Sequence, residues 1–368
     1  MRVIQLVQTL VAGGAETMVR TLCPGVAAAG IDVRVASVYP SGLDDAQRTA
    51  LHAPVIELGR RGRTDLGFFP RLVGTLRALR PDVVHGHVHT GQYAGRAAGV
   101  LAGVPAIVLT VHGPEPGGPV RWAVDRMLHA RTARFIVFTE SQRRRLSSQQ
   151  QIPLERIAVI PNGVVPRAAQ GTRAELRARL DLPPDAFVLY NAARLAPEKN
   201  QRAAIDAMGL LRDDRPPNII LLIAGTGPLE EELRAHVRDA GLGERVRFLG
   251  YREDAAELFP AMDAFLQPSH WERMPMALGE AMLAGLPPVM SPWEGHDDMV
   301  TDGETAFVAQ GFDAAALAAA IRRAAADPER LARTGAAAAA AARATFDVDT
   351  MIRRHVELYE SLARENRR

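Results

Sequence analysis

Two carboxylates and two cations stand where they could hold a charged, hydroxyl-rich ligand. Glu272 and Glu280 fall in His270-Trp271-Glu272-Arg273-Met274-Pro275-Met276-Ala277-Leu278-Gly279-Glu280-Ala281-Met282. The first reads as a loop residue after an apolar strand, the second as a residue about a turn inside the next helix. The C-terminal edge of a parallel sheet presents such loops and helix starts to a ligand. Carboxylates accept hydrogen bonds from hydroxyl groups, so the pair suits a polyhydroxylated ligand, although two glutamates at this spacing are common. Upstream, Arg194-Leu195-Ala196-Pro197-Glu198-Lys199-Asn200 follows a strand and opens a helix. Free backbone N–H groups and the helix dipole there favour an anion, and Arg194 with Lys199 would suit a pyrophosphate. Lys199 is the single lysine beside 43 arginines. Its compact ammonium fits next to a crowded diphosphate better than a second planar guanidinium.

Other motifs carry weaker chemistry. Gly225-Thr226-Gly227 is a glycine turn between a strand and a helix, and its small residues let backbone approach a nucleotide. Gly13-Gly14 likewise separates the first strand from its helix and can contact a phosphate. His85, His87 and His89 alternate; on a strand they would share a face and could ligate a metal, but no carboxylate or cysteine accompanies them. Asp347-Val348-Asp349 precedes the last helix and reads as a helix N-cap. No nucleophile–base pair stands out.

The elements that must position these groups follow from periodicity. Short β-rich runs at 3–7, 32–37, 55–58, 83–85, 106–110, 135–139 and 157–160 alternate with helical patterns at 15–28, 70–80 and 91–102. Alternating βα units predict a parallel, doubly wound sheet. After Pro161-Asn162-Gly163 and a polar stretch to Gly171, the pattern restarts. Strands are predicted at 187–191, 219–224, 246–249, 264–268, 288–291 and 306–308, with helices at 200–211, 229–240, 255–261, 277–284 and 314–326. The alanine-rich stretch 335–345 predicts a further helix. Met351, Ile352, Val356, Tyr359 and Leu362 recur at helical spacing and predict an amphipathic last helix. The fold class is therefore α/β, two Rossmann-like doubly wound halves with a cleft expected between them.

Composition narrows the class. The chain has 368 residues and a net charge of +2, which gives no global reason to bind nucleic acid. The charge divides unevenly, about +9 over residues 1–170 and about −7 over the rest, as two domains with different partners would have. One cysteine, Cys23, excludes a disulfide framework and points to a reducing compartment. No apolar stretch approaches the roughly 18 residues of a membrane span. The N-terminal run, apolar but interrupted by Gln5 and Gln8, reads as a buried strand and not as a signal peptide. Arg60-Arg61-Gly62-Arg63, with Arg121-Trp122, could meet anionic lipid head groups.

Taken together, these segments resemble the family-4 retaining glycosyltransferases of the two-domain GT-B fold. The matching stretches are Gly13-Gly14-Ala15-Glu16, His85-Gly86-His87, Thr110-Val111-His112, Ile160-Pro161-Asn162-Gly163-Val164, 194–200, 224–229, Phe248-Leu249-Gly250 and 268–286, in the family's order along nearly the whole chain. The resemblance implies an acceptor-binding domain over 1–168, a donor-binding domain over 169–348, and a helix over 349–368 returning to the first domain. It implies transfer of a hexose or N-acetylhexosamine from a nucleotide-diphosphate sugar, UDP preferred and GDP the alternative, to a hydroxyl acceptor. That acceptor is a glycan or glycolipid intermediate or a small metabolite. Arg194 and Lys199 would neutralise the diphosphate, Glu280 hold the ribose, Glu272 lie against the sugar, and Gly250 and Tyr251 hold the base. Gly225, Gly227, Met274 and Pro275 complete the donor side, with Gly13 and Gly14 approaching the diphosphate. His112 would face the reacting sugar, and His85 and His87 lie near the acceptor.

The resemblance further implies no metal, no nucleic acid, and a cytoplasmic enzyme able to touch the inner face of the membrane. Arg273 stands where the family has glycine and Asp298 where it has glutamate, so the sugar does not transfer from the resemblance. An anionic sugar or acceptor would suit Arg273. The other classes open to such a scaffold are a sugar-nucleotide epimerase and an inactive nucleotide-sugar binding subunit.

Overall fold

The computed structural model describes residues 1–11, 13–62, 64–113, 119–212 and 218–366. The chain folds into two compact units, one built from 1–163 together with 347–368, the other from 164–346. The sequence-based boundaries were 168/169 and 348/349. The crossing points lie slightly earlier because the Val164 amide donates to the Phe346 carbonyl at 2.9 Å, tying both ends of the second unit to each other.

The first unit holds β1 (Arg2–Val7), β2 (Asp32–Ser37), β3 (Val55–Glu57), β4 (Val83–His87), β5 (Ala106–Thr110), β6 (Arg134–Val137) and β7 (Ile157–Val159). They form one sheet in the order β3-β2-β1-β4-β5-β6-β7, with every pairing parallel. Strand order reverses between β1 and β4, where a doubly wound sheet opens its ligand crevice. Register sets Gln5 beside His85, and His87 beside Thr110, so these polar side chains share one sheet face. That face is otherwise apolar, with Val3, Val7, Val83 and Val108 packed under the helix Gly14–Ala28 and the last helix Val348–Glu365. Ile4, Leu6 and Val84 cover the opposite face against the helix Phe68–Leu79.

The second unit holds β8 (Phe187–Ala192), β9 (Ile219–Ala224), β10 (Val246–Gly250), β11 (Ala264–Gln267), β12 (Pro288–Met290) and β13 (Phe307–Val308), in the order β10-β9-β8-β11-β12-β13. These pairings too are parallel. The order reverses between β8 and β11, so the loops that follow these two strands flank the second crevice.

All the predicted strands are present. β4 runs two residues past the predicted end, to His87, because both histidines turn onto the buried face. His89 is not on the strand; it sits in the short turn Val88–Thr90, so the expected three-histidine face does not form. The stretch 91–102 begins as a π-helical turn at Gly91–Gly95 before the α-helix Arg96–Ala102. Four helices were not predicted: Asp45–Ala50, Pro119–His129, Glu140–Gln150 and Arg173–Arg179. The third is polar apart from Leu146 and buries only that residue and Gln142. The first and fourth are short and started by capping boxes, Asp44 with Gln47 and Thr172 with Glu175. The last helix starts on Asp347, whose carboxylate accepts from the Thr350 amide at 2.8 Å. Arg63 and the side chain of Arg121 lie outside the described residues.

Candidate active site

In the second unit, the loops after β8, β9, β10 and β11 converge at one sheet edge. Gly225 and Gly227 are required there. A Cβ on Gly225, which has φ 135, would sit 2.0 Å from the Ala193 carbonyl oxygen; one on Gly227 would sit 2.3 Å from that of Leu195. The close approach these glycines allow is to the neighbouring loop, which the Leu195 amide also clamps by donating to Thr226 at 3.0 Å. The Gly225 amide donates in turn to the Gly250 carbonyl at 2.7 Å. Asn200, with φ 53, donates through Nδ2 to the Pro268 carbonyl at 3.1 Å. The loop carrying Lys199 is thus held against the loop carrying Glu272.

Those two side chains meet. Lys199 Nζ donates to Glu272 Oε1 at 2.7 Å. The same oxygen accepts from Gln267 Nε2 at 2.5 Å and from Ser269 Oγ at 2.7 Å. Glu272 is buried and Lys199 is 20% exposed. Three donors converge on Oε1, while Oε2 takes none among the described residues. Arg194 is more open, 63% exposed, and pairs with Glu198 Oε1 at 2.5 Å. Glu280 lies on the helix Met276–Leu283, and burial raises its pKa against the lowering pull of Arg167. Met274 is buried, Arg273 is partly buried, and Tyr251 at the end of β10 is exposed.

In the first unit, the polar residues of the buried face form a continuous network. Gln5 Nε2 donates to Tyr359 Oη at 2.9 Å, and Gln5 Oε1 lies 2.8 Å from His87 Nε2. His87 Nδ1 lies 3.1 Å from His112 Nε2. His85 bridges Tyr359 Oη at 2.7 Å and Thr110 Oγ1 at 2.6 Å. Burial holds His85 and His87 well below the ordinary imidazole pKa and lowers His112 to about 3, so all three rings are neutral near pH 7. His112 lines a pocket of about 90 Å³ with His89, Gln92, Thr110 and Val111. Val88 at its rim has φ 50, an uncommon conformation for a β-branched residue of the kind found at functional sites.

Residues 12–167 match the family described as Glycosyltransferase Family 4, and residues 172–341 match Glycosyl transferases group 1. The chain is 30% identical over 280 residues to the UDP-Gal:alpha-D-GlcNAc-diphosphoundecaprenol alpha-1,3-galactosyltransferase of Escherichia coli, covering 72% of each chain. The chain belongs to glycosyltransferase family 4.

Among other members, a D-inositol 3-phosphate glycosyltransferase of Streptomyces scabiei is 32% identical to this family-4 enzyme, over 78% of this chain and 69% of its own. The fold is GT-B. HepE of Anabaena, solved in complex with UDP-glucose, superposes with a TM-score of 0.84 at 24% identity, over 98% of this chain and all of HepE.

Within this glycosyltransferase, the residues singled out in the sequence fall into two groups. Glu272, Lys199, Arg194, Gly225, Gly227, Gly250, Tyr251, Met274, Pro275 and Glu280 belong to the second unit; His85, His87, His112, Gly13 and Gly14 belong to the first. Sequence reasoning missed Gln267, Ser269, Gln5, Thr110 and Tyr359 as site residues. Gln267 and Gln5 did leave a signal, since each is a polar residue within an otherwise apolar strand run. Among the described residues, no three His, Cys, Asp or Glu side chains gather as metal ligands.

Proposed function

We propose that this glycosyltransferase moves a hexose or N-acetylhexosamine from a UDP-sugar to a hydroxyl acceptor with retention of configuration and without a metal ion. The observation that carries the reading is the Glu272 carboxylate, which shares one oxygen among Lys199, Gln267 and Ser269. A carboxylate so neutralised is a poor nucleophile, which disfavours a glycosyl-enzyme intermediate on Glu272. Its second oxygen remains to accept a sugar hydroxyl, and the ammonium beside it has further N–H donors for the diphosphate. In this reading the bond between the anomeric carbon and the phosphate oxygen breaks while the acceptor oxygen bonds that carbon on the same face. The acceptor proton passes to the departing phosphate. The protein supplies positioning and charge stabilisation. His112 is assigned to the reacting sugar and Glu280 to the ribose.

The preference for UDP is supported by the E. coli relative's name and by the UDP-glucose complex of HepE. A glycan or glycolipid intermediate, or a small metabolite such as an inositol phosphate, is the acceptor class, as the relatives' names suggest. The first unit is also assigned to the inner membrane surface. Arg60 and Arg61 supply charge there, and Trp122 and Met127 stand exposed on the helix Pro119–His129. No helix among the described residues is long and apolar enough to cross a membrane.

The test is calorimetric titration with UDP-, GDP-, ADP- and TDP-sugars. Binding of a UDP-sugar is expected; binding of none refutes the reading, and preference for a GDP-sugar refutes its choice of nucleotide.

A further inference from the structure

The first unit holds a device that neither the family resemblance nor the donor chemistry requires. We propose that Gln5 and Tyr359 are positioning residues that hold His112 in a single tautomer, with Nε2 protonated and Nδ1 bare.

A glutamine Nε2 only donates and its Oε1 only accepts. Gln5 Nε2 donates to Tyr359 Oη, so Oε1 must receive the proton of His87 Nε2. A neutral ring carries one N–H, which leaves His87 Nδ1 bare. The only bond His87 Nδ1 can then make to His112 is to accept from a protonated Nε2. His112 Nδ1 is left without a proton. At the other end, Tyr359 Oη accepts from Gln5 and donates to His85 Nδ1, and His85 Nε2–H donates to Thr110 Oγ1. Every bond from His112 to Thr110 points the same way, an arrangement in which each bond polarises and strengthens the next.

Running the chain from His112 to Tyr359 the opposite way needs the Gln5 amide turned over, with its oxygen and not its Nε2 toward Tyr359, and the protons of His112 and His87 each on the other nitrogen. A reversal confined to one of His112, His87 or Gln5 would set two lone pairs or two N–H groups face to face in a buried site, which folded proteins avoid, whereas the Tyr359 hydroxyl can accept from both Gln5 and His85. The tautomer of His112 is therefore tied to the orientation of one glutamine on β1 and one tyrosine on the last helix. Tyr359 is fully buried, and Met351 and Leu362 of the same helix hold it against the sheet. His355, one turn before Tyr359, brings no proton to the chain. Its Nδ1 donates to the Met351 carbonyl at 2.8 Å, and its ring stands 5.8 Å from that of His85.

The catalytic meaning of the chain rests on the assignment of His112 to the reacting sugar. With Nδ1 bare, His112 can accept a hydrogen bond from a ligand hydroxyl but cannot donate one to a phosphate oxygen from that atom. The last helix then contributes to activity through the ring it orients, without touching substrate.

The test is long-range proton–nitrogen NMR on the full-length protein with 15N-labelled histidine, His112 being identified by the resonance lost in His112→Ala. Near pH 7.5 the wild-type ring should carry its proton on Nε2 alone; a proton on Nδ1, or on both nitrogens, overturns the proposal. Tyr359→Phe and Gln5→Leu should each leave both tautomers populated, with kcat lowered roughly tenfold or more and KM within about twofold. An unchanged Nε2–H tautomer in either folded variant overturns the proposal, because a merely structural role would leave the ring's protonation as it was. The wild-type spectrum decides even if a variant does not fold. Wild-type turnover in His112→Ala would instead refute the assignment of His112 to the sugar, and with it the catalytic meaning of the chain, whatever the spectra show.

Discussion

Lys199→Met separates the two roles that meet at the Lys199–Glu272 pair. At 2.7 Å and an effective dielectric of about 20, the attraction between unit charges is about 6 kcal/mol. Desolvation of two largely buried ions takes back most of that. On the proposed reading the substitution removes two things: a charge-assisted hydrogen bond to the donor diphosphate, about 1.5–3 kcal/mol, and the cation that neutralises Glu272. UDP affinity should fall roughly 10- to 150-fold, while uridine, which carries no phosphate, should bind within about threefold of wild type. Glu272→Gln added to Lys199→Met removes the uncompensated negative charge and should recover about 1 kcal/mol of UDP binding. Calorimetry with UDP and uridine on the two variants reads all of this. Equal losses for the two ligands would show that Lys199 does not meet phosphate. A double variant weaker than the single would show that Glu272 does not oppose the diphosphate.

Gly225→Ala should lower the apparent Tm by several degrees, because a methyl group at φ 135 against the Ala193 carbonyl costs about 1–3 kcal/mol; an unshifted melting curve would mean the loops are not held by that contact. Glu280→Gln should weaken UDP about tenfold and abolish discrimination against 2′-deoxy-UDP, since a neutral amide is a weaker acceptor for ribose hydroxyls; retained discrimination would remove Glu280 from the ribose. The buried histidines set a pH window. His85, His87, His112 and His355 are all lowered by burial, the last two to about 3 and about 4. The unfolded chain, titrating near pH 6.5, therefore binds more protons below that pH. Their contribution to stability is complete above about pH 6.5 and is lost as pH falls toward about 4 to 3. Melting curves across pH 4 to 8 should show the decline beginning near 6.5. Glu57, held at about 2 by the Ser41 hydroxyl and Arg48, adds to the acid loss as pH falls from its ordinary value of about 4.5 toward about 2. A flat profile down to pH 5 would contradict the neutral, buried network.

The strands were legible because each parallel strand buried on both faces is a short apolar run. Lys199 was legible as the one lysine in an arginine-rich chain, and Glu272 as a carboxylate at a strand's C-terminal end. Their pairing was not, because it depends on two loops 73 residues apart being pressed together by Asn200 and the two glycines. Gln5 is a sharper case. It read as a polar interruption in a buried strand, and its partners lie 82 and 354 residues away. Tyr359 read as one apolar position on an amphipathic helix, since periodicity marks which face is buried but not which hydroxyl meets a histidine.

Proton NMR of a reaction with UDP-glucose, together with polyprenyl-diphosphate-sugar and inositol phosphate acceptors, tests the central claim most directly. Release of UDP with a new α-glycosidic anomeric signal and no added metal is predicted; a β-linked product, or an epimerised nucleotide sugar with no acceptor consumed, would contradict it.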